Sequence, residues 1–228
     1  MKTPSLLNAV ILTPSVAPAT SPSHALILLH GYGANAQDLL PLRDEIAPSW
    51  TAIAIEAPID LGPMGMPGGH AWFHISPDPN GGLTYDRPGA EEVAMQLACT
   101  IPEVLAQQNV ESKHVAVLGF SQGAMLGHGL LLKHAMPMAG LAACSGRMVP
   151  ELFQSGTPLA EGQPLFLSHG TFDDIIPVTD GHAIRHFYST ETDAEITWCE
   201  EAIGHGIGPQ MLTELKAWMA GLDQTSTR

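Results

Sequence analysis

The sequence predicts an α/β fold with a doubly wound, mostly parallel sheet flanked by helices. Six short apolar runs recur along the chain, they lack polar alternation, and helical stretches separate them. A strand without polar alternation is buried on both faces, as in a parallel sheet that helices cover. Strands that alternate with helices are typical of a doubly wound sheet.

The predicted strands follow one another in chain order, and most end in a turn that contains Gly, Ser or His. They are Ala25–Leu29, Thr51–Ile55, His114–Leu118, Ala139–Ala143, Pro164–Leu167 and Glu195–Cys199. The earlier run Leu6–Leu12 is predicted as a first strand; it also resembles a weak secretion signal, which Asn8 and Pro14 argue against. Ligands of such sheets bind at the carboxyl ends of the strands, so these turns are expected to converge on one site.

Five amphipathic stretches fill the intervals between the strands. The predicted helices are Asp38–Ile46, Gly89–Gln107, Gln122–His134, Thr179–Ser189 and Pro209–Met219. A chain of 228 residues is within the range of one domain, so residues 1–228 are predicted to form a single one.

Composition narrows the class of partner. Apolar residues make up 45% of the chain and charged residues 14%, which is typical of a globular protein. Nine basic and 23 acidic residues give a net charge of −14, a field that repels nucleic acids and anionic membranes. The expected partner is a small neutral or cationic molecule, without stable membrane association, and a homodimer is compatible with the sequence.

The cysteines indicate a cellular compartment. Cys99, Cys144 and Cys199 are odd in number, widely spaced and without a C-x-x-C pair. Buried reduced thiols are the expectation, and these predict a reducing, cytoplasmic location.

Gly119 to Gly123 match the pattern G-x-S-x-G with Ser121 at its centre. The bare pattern is weak, but here it follows the predicted strand His114–Leu118 and opens a predicted helix. Strand, turn and helix form the nucleophile elbow, in which glycines let strand and helix approach closely and the serine hydroxyl stands above the sheet. Ser121 is the predicted nucleophile; the alternative is a Gly-rich packing turn with an incidental serine.

A serine hydroxyl needs a base, and histidine supplies it. In proteins with this elbow the order along the chain is Ser, acid, His. Of the eleven histidines, His205 lies after the last predicted strand, just before the C-terminal helix. His182 and His186 are spaced as a zinc pair would be, but no third ligand accompanies them, so no metal and no cofactor is predicted.

The acid that orients His205 should follow the strand Pro164–Leu167. Asp173 and Asp174 both do, and position alone does not separate them. Asp180, at the start of the next helix, is predicted to be a helix cap.

Charge that develops on a substrate oxygen needs N–H donors held in place. The backbone N–H of Gln122, next to the nucleophile, is one predicted donor. The second is the N–H of Tyr32, in the turn from His30 to Gly33, where the glycines allow the backbone to face inward.

Residues 58–88 carry six glycines together with Met64, Met66, Trp72 and Phe73. Linkers seldom contain Trp and Met, so this segment is predicted to be a loop that covers a pocket. The four large side chains are predicted to wall the pocket; the alternative is that they form an ordinary loop core.

Five pieces of the chain together resemble the carboxylesterase, phospholipase and acyl-protein thioesterase family of α/β hydrolases. They are Leu28–Gly33, Ala71–Ile75, Leu118–Gly123, His169–Val178 and Gly204–Ile207. The resemblance implies an α/β-hydrolase fold without a separate cap domain. In the family's H-G-x-x-D pattern the aspartate is fifth, which implies Asp173 rather than Asp174, and the family's oxyanion donors fall on Tyr32 and Gln122.

The expected function is a serine carboxylesterase that forms an acyl-enzyme on Ser121. An acyl-protein thioesterase and a lysophospholipase are alternatives, and a hydrolase fold that binds ligand without turnover is an alternative of another class. The family's W-F-D segment reads Trp72-Phe73-His74 here, and Ala124 stands where the family often has Gly. The first departure leaves substrate preference open.

Overall fold

The computed structural model describes residues 5–16, 23–77, 83–153 and 159–225. Its strands are β1 (Ala9–Leu12), β2 (Ala25–Leu29), β3 (Thr51–Ile55), β4 (Ile59–Asp60), β5 (His70–Ala71), β6 (Ile75–Pro77), β7 (Leu83–Tyr85), β8 (Val115–Phe120), β9 (Gly140–Cys144), β10 (Pro164–Gly170) and β11 (Glu195–Glu201). Its helices are α1 (Leu40–Ile46), α2 (Arg87–Gln107), α3 (Gln122–Leu132), α4 (Val178–Glu191) and α5 (Pro209–Thr225).

Seven strands form the central sheet, in the order β1-β3-β2-β8-β9-β10-β11. β1 pairs antiparallel with β3, and the other neighbours pair in parallel. The chain runs from β2 to β3 at one side, then crosses to β8 at the other side of β2. The strand order therefore reverses between β2 and β8, and ligands of doubly wound sheets bind at such a switch point. The predicted fold class is confirmed.

Helices cover both faces of the sheet, because the strands are apolar on both. Ile27 and Leu29 pack on the face covered by α2, α3 and α4, whereas Leu26 and Leu28 pack on the face covered by α1 and α5. All five residues of β2 are at most 1% exposed. Burying a Leu or Ile side chain stabilises the fold by about 1.5–3 kcal/mol, so this strand anchors the sheet.

Several elements differ in length from their predicted bounds. β10 continues to Gly170, since Ser168 and His169 still pair with β11. α2 begins at Arg87 rather than Gly89, because the carboxylate of Asp86 accepts a hydrogen bond from the Gly89 N–H and caps the helix. The predicted first strand is shorter than expected and is confined to β1.

Residues 58–88 contain more structure than a loop. β4 pairs with β5 and β6 pairs with β7 in two short antiparallel ribbons, with a 3-10 turn over Gly62–Met64 between β4 and β5. The His70 carbonyl accepts a hydrogen bond from the Gly33 N–H, which attaches this segment to the turn after β2. Residues 78–82 lie outside the described ranges.

The three cysteines are free thiols. Cys144 and Cys199 are buried, as expected, but Cys99 is half-buried. Burial raises the pKa of the Cys144 thiol to about 11, so it stays protonated and unreactive at neutral pH. In the part of the chain that the structure describes, no helix combines the length and the apolar character needed to cross a membrane.

Candidate active site

Ser121 lies in the sharp turn between β8 and α3. Its backbone has φ 55° and ψ −117°, a strained conformation for a residue other than glycine. A Cβ on Gly123 would stand 2.0 Å from the carbonyl oxygen of Leu29, and one on Gly119 would stand 2.3 Å from that of Gly123. Only glycine fits at these two positions, as the elbow pattern predicts.

Asp173 lies in the loop after β10 and contacts His205. Its Oδ2 is 2.7 Å from Nδ1 of His205, and its Oδ1 accepts hydrogen bonds from the N–H groups of Ile175 and Ile176. The carboxylate is 0% exposed, whereas Asp174 is exposed. The structure therefore brings Asp173, and not Asp174, to the histidine.

His205 lies in the loop between β11 and α5. Its ring packs against that of Phe120, the neighbour of Ser121, with centroids 4.9 Å apart. Ser121 and His205 line the same cavity, and the His205 side chain is 17% exposed. Since Nδ1–H donates to Asp173, Nε2 carries the free lone pair that a general base needs.

His169 is a contact of Asp173 that sequence reasoning missed. Its Nε2–H donates to the Ile176 carbonyl at 2.7 Å and lies 3.4 Å from Oδ2 of Asp173. The ring is buried, and Gly181 of α4 is pressed so closely against it that a Cβ there would stand 2.6 Å from Nδ1. The signal in the sequence is the position of His169, which follows the predicted strand Pro164–Leu167 and precedes Asp173 by four residues.

The turn from His30 to Gly33 lies against the elbow. His30 is pinned by donation from Nδ1–H to the Gly31 carbonyl at 2.8 Å and by acceptance at Nε2 from the Ala57 N–H at 3.1 Å. Burial lowers the pKa of His30, which keeps the ring neutral in this tautomer. A Cβ on Gly31 would stand 3.3 Å from Cβ of Ser121, so the turn approaches the serine closely.

Among the described residues, the backbone N–H groups of Tyr32 and Gln122 lack the acceptors that the N–H groups of neighbouring residues have. The N–H groups of Gly33 and Ala34 donate to backbone carbonyls, but that of Tyr32 makes no hydrogen bond within the described ranges. Gln122 is the first residue of α3, where a backbone N–H has no acceptor in the helix. Two donors are thus available beside Ser121.

The side chain of Gln122 holds the segment that contains Trp72 and Phe73. Its Oε1 accepts from the Trp72 N–H at 3.1 Å, and its Nε2–H donates to the Phe73 carbonyl at 2.8 Å. Trp72 also donates from Nε1 to the His30 carbonyl at 2.7 Å. These bonds connect residues 72–73 to both the elbow and the turn after β2.

A cavity of about 350 Å³ opens beside Ser121, at the low end of the range for small-molecule sites. Its walls are mostly apolar. Among the described residues it is lined by Tyr32, Phe73, Ile75, Leu83, Thr84, Tyr85, Ser121, Gln122, Met125, Arg147, Ile175, Ile176 and His205.

Of the four predicted pocket residues, the structure brings Phe73 to the cavity wall. Trp72 is buried, Met64 and Met66 are 58% and 37% exposed, and none of the three is among the described lining residues. The other wall residues were missed because no short pattern marks them. Ile75, Leu83 and Tyr85 reach the cavity through the pairing of β6 with β7, which the sequence did not predict.

The described ranges hold no group of three or more His, Cys, Asp or Glu side chains that could bind a metal ion. His182, one member of the zinc pair considered above, pairs with Glu200 at 2.6 Å.

Asp180, predicted as a helix cap, lies inside the first turn of α4, whose N-cap is Pro177.

The sheet, its switch point and the serine elbow define an α/β hydrolase. The sequence model of the phospholipase/carboxylesterase family matches residues 13–222. The chain therefore belongs to that family, and it is a carboxylic-ester hydrolase.

Comparison with known proteins gives relatives of the same kind. Acyl-protein thioesterase 1 of Eremothecium gossypii is 28% identical over 134 residues, which cover 57% of this chain and 57% of the relative. Acyl-protein thioesterase 1 of Yarrowia lipolytica is 24% identical over 208 residues, which cover 85% of this chain and 89% of the relative. The crystal structure of esterase PE8 superposes with a TM-score of 0.76 at 28% identity, covering 96% of this chain and 100% of that one.

Proposed function

We propose that this chain is a serine carboxylesterase, a single domain that cleaves small esters through an acyl-enzyme on Ser121. The observation that carries the proposal is the 2.7 Å hydrogen bond between Asp173 and His205, beside a cavity that His205 and Ser121 both line. A buried acid, an imidazole and a serine on an elbow are the parts that nucleophilic acyl transfer requires.

The reaction begins with proton transfer from the hydroxyl of Ser121 to Nε2 of His205. The Ser121 oxygen attacks the ester carbonyl carbon, and the carbonyl oxygen becomes an oxyanion. Asp173 stabilises the imidazolium and holds the ring in the tautomer that accepts the proton. His205 then protonates the departing alcohol, and a water molecule, activated by the same base, releases the acid from Ser121.

The N–H groups of Tyr32 and Gln122 are the donors that this proposal assigns to the oxyanion. Both lie beside Ser121, and the Tyr32 N–H has no other acceptor within the described ranges. Loss of one such donor typically raises the barrier by about 3–4 kcal/mol.

The cavity supports a preference for short or medium acyl chains. Its volume of about 350 Å³ is small for a ligand site, and Phe73, Ile75 and Met125 offer an apolar surface to an alkyl group. We expect catalytic efficiency with p-nitrophenyl esters to rise with acyl length, as apolar contacts accumulate, and to fall once the chain exceeds the cavity.

The test is hydrolysis of p-nitrophenyl esters from acetate to decanoate by the wild type and by two serine variants. Ser121→Ala should lower kcat by roughly 10⁴-fold or more, since the nucleophile is gone. Ser145→Ala is the matched control: Ser145 is also buried and also has a positive φ, of 52°, but lies outside the cavity lining. A fluorophosphonate should label the wild type and Ser145→Ala but not Ser121→Ala. Turnover by Ser121→Ala at the wild-type rate would refute the proposal.

An acyl-protein thioesterase is a second candidate, favoured by the names of the relatives from Eremothecium gossypii and Yarrowia lipolytica. A lysophospholipase is a third, favoured by the family description. Assays with matched octanoyl esters, octanoyl thioesters and lysophosphatidylcholine separate the three. The carboxylesterase proposal expects the highest kcat/KM with the oxygen ester whose alcohol is small.

A further inference from the structure

Arg147 places a permanent positive charge on the wall of an otherwise apolar cavity. Of the described lining residues it is the one that is charged at every physiological pH, and neither Asp nor Glu is among them. Neither the elbow nor the proposed reaction uses it. A charged guanidinium beside apolar walls costs free energy unless it is paired, so a bound anion would explain its position.

The backbone before Arg147 holds it beside the elbow. Ser145, directly after β9, has a φ of 52°, and its N–H donates to the Ser168 carbonyl at 2.8 Å. Gly146 packs so closely on α3 that a Cβ there would stand 2.9 Å from Cβ of Ala124. The position of Arg147 is therefore fixed by the same helix that Ser121 opens.

The guanidinium is only loosely paired within the described ranges. Within the described ranges, the carboxylate of Asp180 is the one that lies within 4 Å of it. The distance from Nη2 of Arg147 to Oδ1 of Asp180 is 3.8 Å, which is too long for a hydrogen bond. Both side chains are partly exposed, at 31% for Arg147 and 25% for Asp180. Glu151, by contrast, pairs with Arg87 at 3.1 Å. Arg147 thus keeps donors for a further acceptor.

A carboxylate or phosphate group fits this arrangement. The planar guanidinium donates two parallel N–H bonds to such an anion, and bonds of this kind strengthen where water is partly excluded. The net charge of −14 opposes an anion at long range. However, exposed charges more than about 8 Å away are screened at physiological ionic strength, so the local cation dominates inside the cavity.

We propose that Arg147 selects esters that carry an anionic oxygen group, which it binds while Ser121 attacks the ester carbonyl. The inference rests on the proposed esterase function and adds the substrate class. The anion can belong to the acyl part or to the alcohol part of the ester, and the experiment distinguishes the two. This proposal differs from the expectation of neutral or cationic substrates that the net charge gives.

The experiment compares matched pairs of esters. In the first pair the acyl part differs: mono-p-nitrophenyl adipate carries a carboxylate, and methyl p-nitrophenyl adipate is its neutral partner. In the second pair the alcohol part differs: 4-carboxyphenyl hexanoate is compared with 4-(methoxycarbonyl)phenyl hexanoate. The quantity measured is the ratio of kcat/KM for the anionic ester to kcat/KM for the neutral ester. The two esters of a pair differ in intrinsic reactivity, but this difference is the same for every enzyme variant. A change in the ratio between variants therefore reports a change in recognition by the enzyme.

Arg147→Met removes the charge and keeps much of the side-chain length. We expect it to lower the ratio by about tenfold in at least one pair, because the anionic ester loses a charged partner that the neutral ester does not use. Arg147→Lys keeps the charge and should restore part of the ratio. Asp180→Asn removes the competing carboxylate and should raise the ratio in the same pair.

Arg185→Met is the control, because Arg185 lies over the ring of Trp198 outside the cavity lining, and its loss changes the net charge equally. Its ratio should equal that of the wild type. An unchanged ratio in Arg147→Met, or equal losses on both members of each pair, would overturn the inference while the esterase function stands. Absence of Ser121-dependent turnover of the neutral esters would instead refute the esterase proposal, and this inference with it.

Discussion

At the scale of the residue, the choice between two adjacent aspartates depends on hydrogen bonds. Asp173 is buried, receives two backbone N–H groups on Oδ1, and presents Oδ2 to His205. Asp174 is exposed. Neighbours in sequence thus have opposite environments, because the turn after β10 directs consecutive side chains to different sides.

Asp173→Asn should lower kcat by roughly 10⁴-fold with little change in KM. The amide oxygen would keep the bonds from Ile175 and Ile176, so the NH₂ group would face His205. Nδ1 must then accept, which moves the ring proton to Nε2 and removes the base. Steady-state hydrolysis of p-nitrophenyl butyrate measures the effect. Asp174→Asn, the matched control, should behave as the wild type; the reverse order of the two variants would contradict the assignment.

At the scale of the element, the elbow depends on close contact between backbones. α3 begins at Gln122, directly after Ser121, and every residue of this helix is buried. Gly123 meets the carbonyl of Leu29 in β2, the strand next to β8. The helix can approach the sheet this closely only where no Cβ intervenes. The elbow is consequently a feature of two strands and one helix rather than of five residues.

Gly123→Ala should therefore destabilise the fold by about 3 kcal/mol or more, since its Cβ would meet backbone atoms that cannot move aside. Gly221→Ala is the matched change in α5, where a Cβ would have nothing within 4 Å. It should stabilise the protein by up to about 1 kcal/mol, the helix preference of Ala over Gly. Urea unfolding followed by circular dichroism measures both, and equal effects would contradict the packing argument.

At the scale of the whole molecule, buried histidines connect stability to pH. His128 of α3 is fully buried, with Nδ1 2.8 Å from the hydroxyl of Tyr188 in α4. Burial lowers its pKa from 6.5 to about 3. The unfolded chain therefore binds this proton first as the pH falls. The stability that neutral His128 contributes is complete above about pH 6.5 and is lost as the pH falls from there through about 3.

The free energy of unfolding should accordingly decrease as the pH falls from 6.5 to 4. The unfolded chain binds one more proton than the folded protein at His128, and this proton contributes about 1.4 kcal/mol per pH unit to the slope. His128→Gln keeps a partner for Tyr188 and does not titrate, so its slope should be smaller by that amount. His186→Gln, an exposed position on α4, is the control and should leave the slope unchanged. Urea midpoints at several pH values give the slopes; identical slopes for wild type and His128→Gln would refute the assignment.

For the molecule as a whole, the sequence predicted the central sheet but not the two short ribbons in residues 58–88. Apolar runs such as Ala25–Leu29 and Thr51–Ile55 became strands with the predicted bounds. The pattern could not predict the two ribbons in residues 58–88, because strands of two or three residues are too short to show a period. Their pairing places Ile75, Leu83 and Tyr85 on the cavity wall.

The sequence by itself determined the fold class, the elbow at Ser121 and the chain order of the candidate residues. These depend on local features: runs of apolar residues, and glycines at fixed offsets from a serine. The family resemblance implied Asp173, and the sequence predicted Phe73 at the pocket. Tertiary structure decided that Asp173 contacts both His205 and His169, and that Arg147 lines the cavity whereas Met64 and Met66 are not among its lining residues. Such contacts join residues from distant parts of the chain, and no pattern within one segment records which distant side chains will meet.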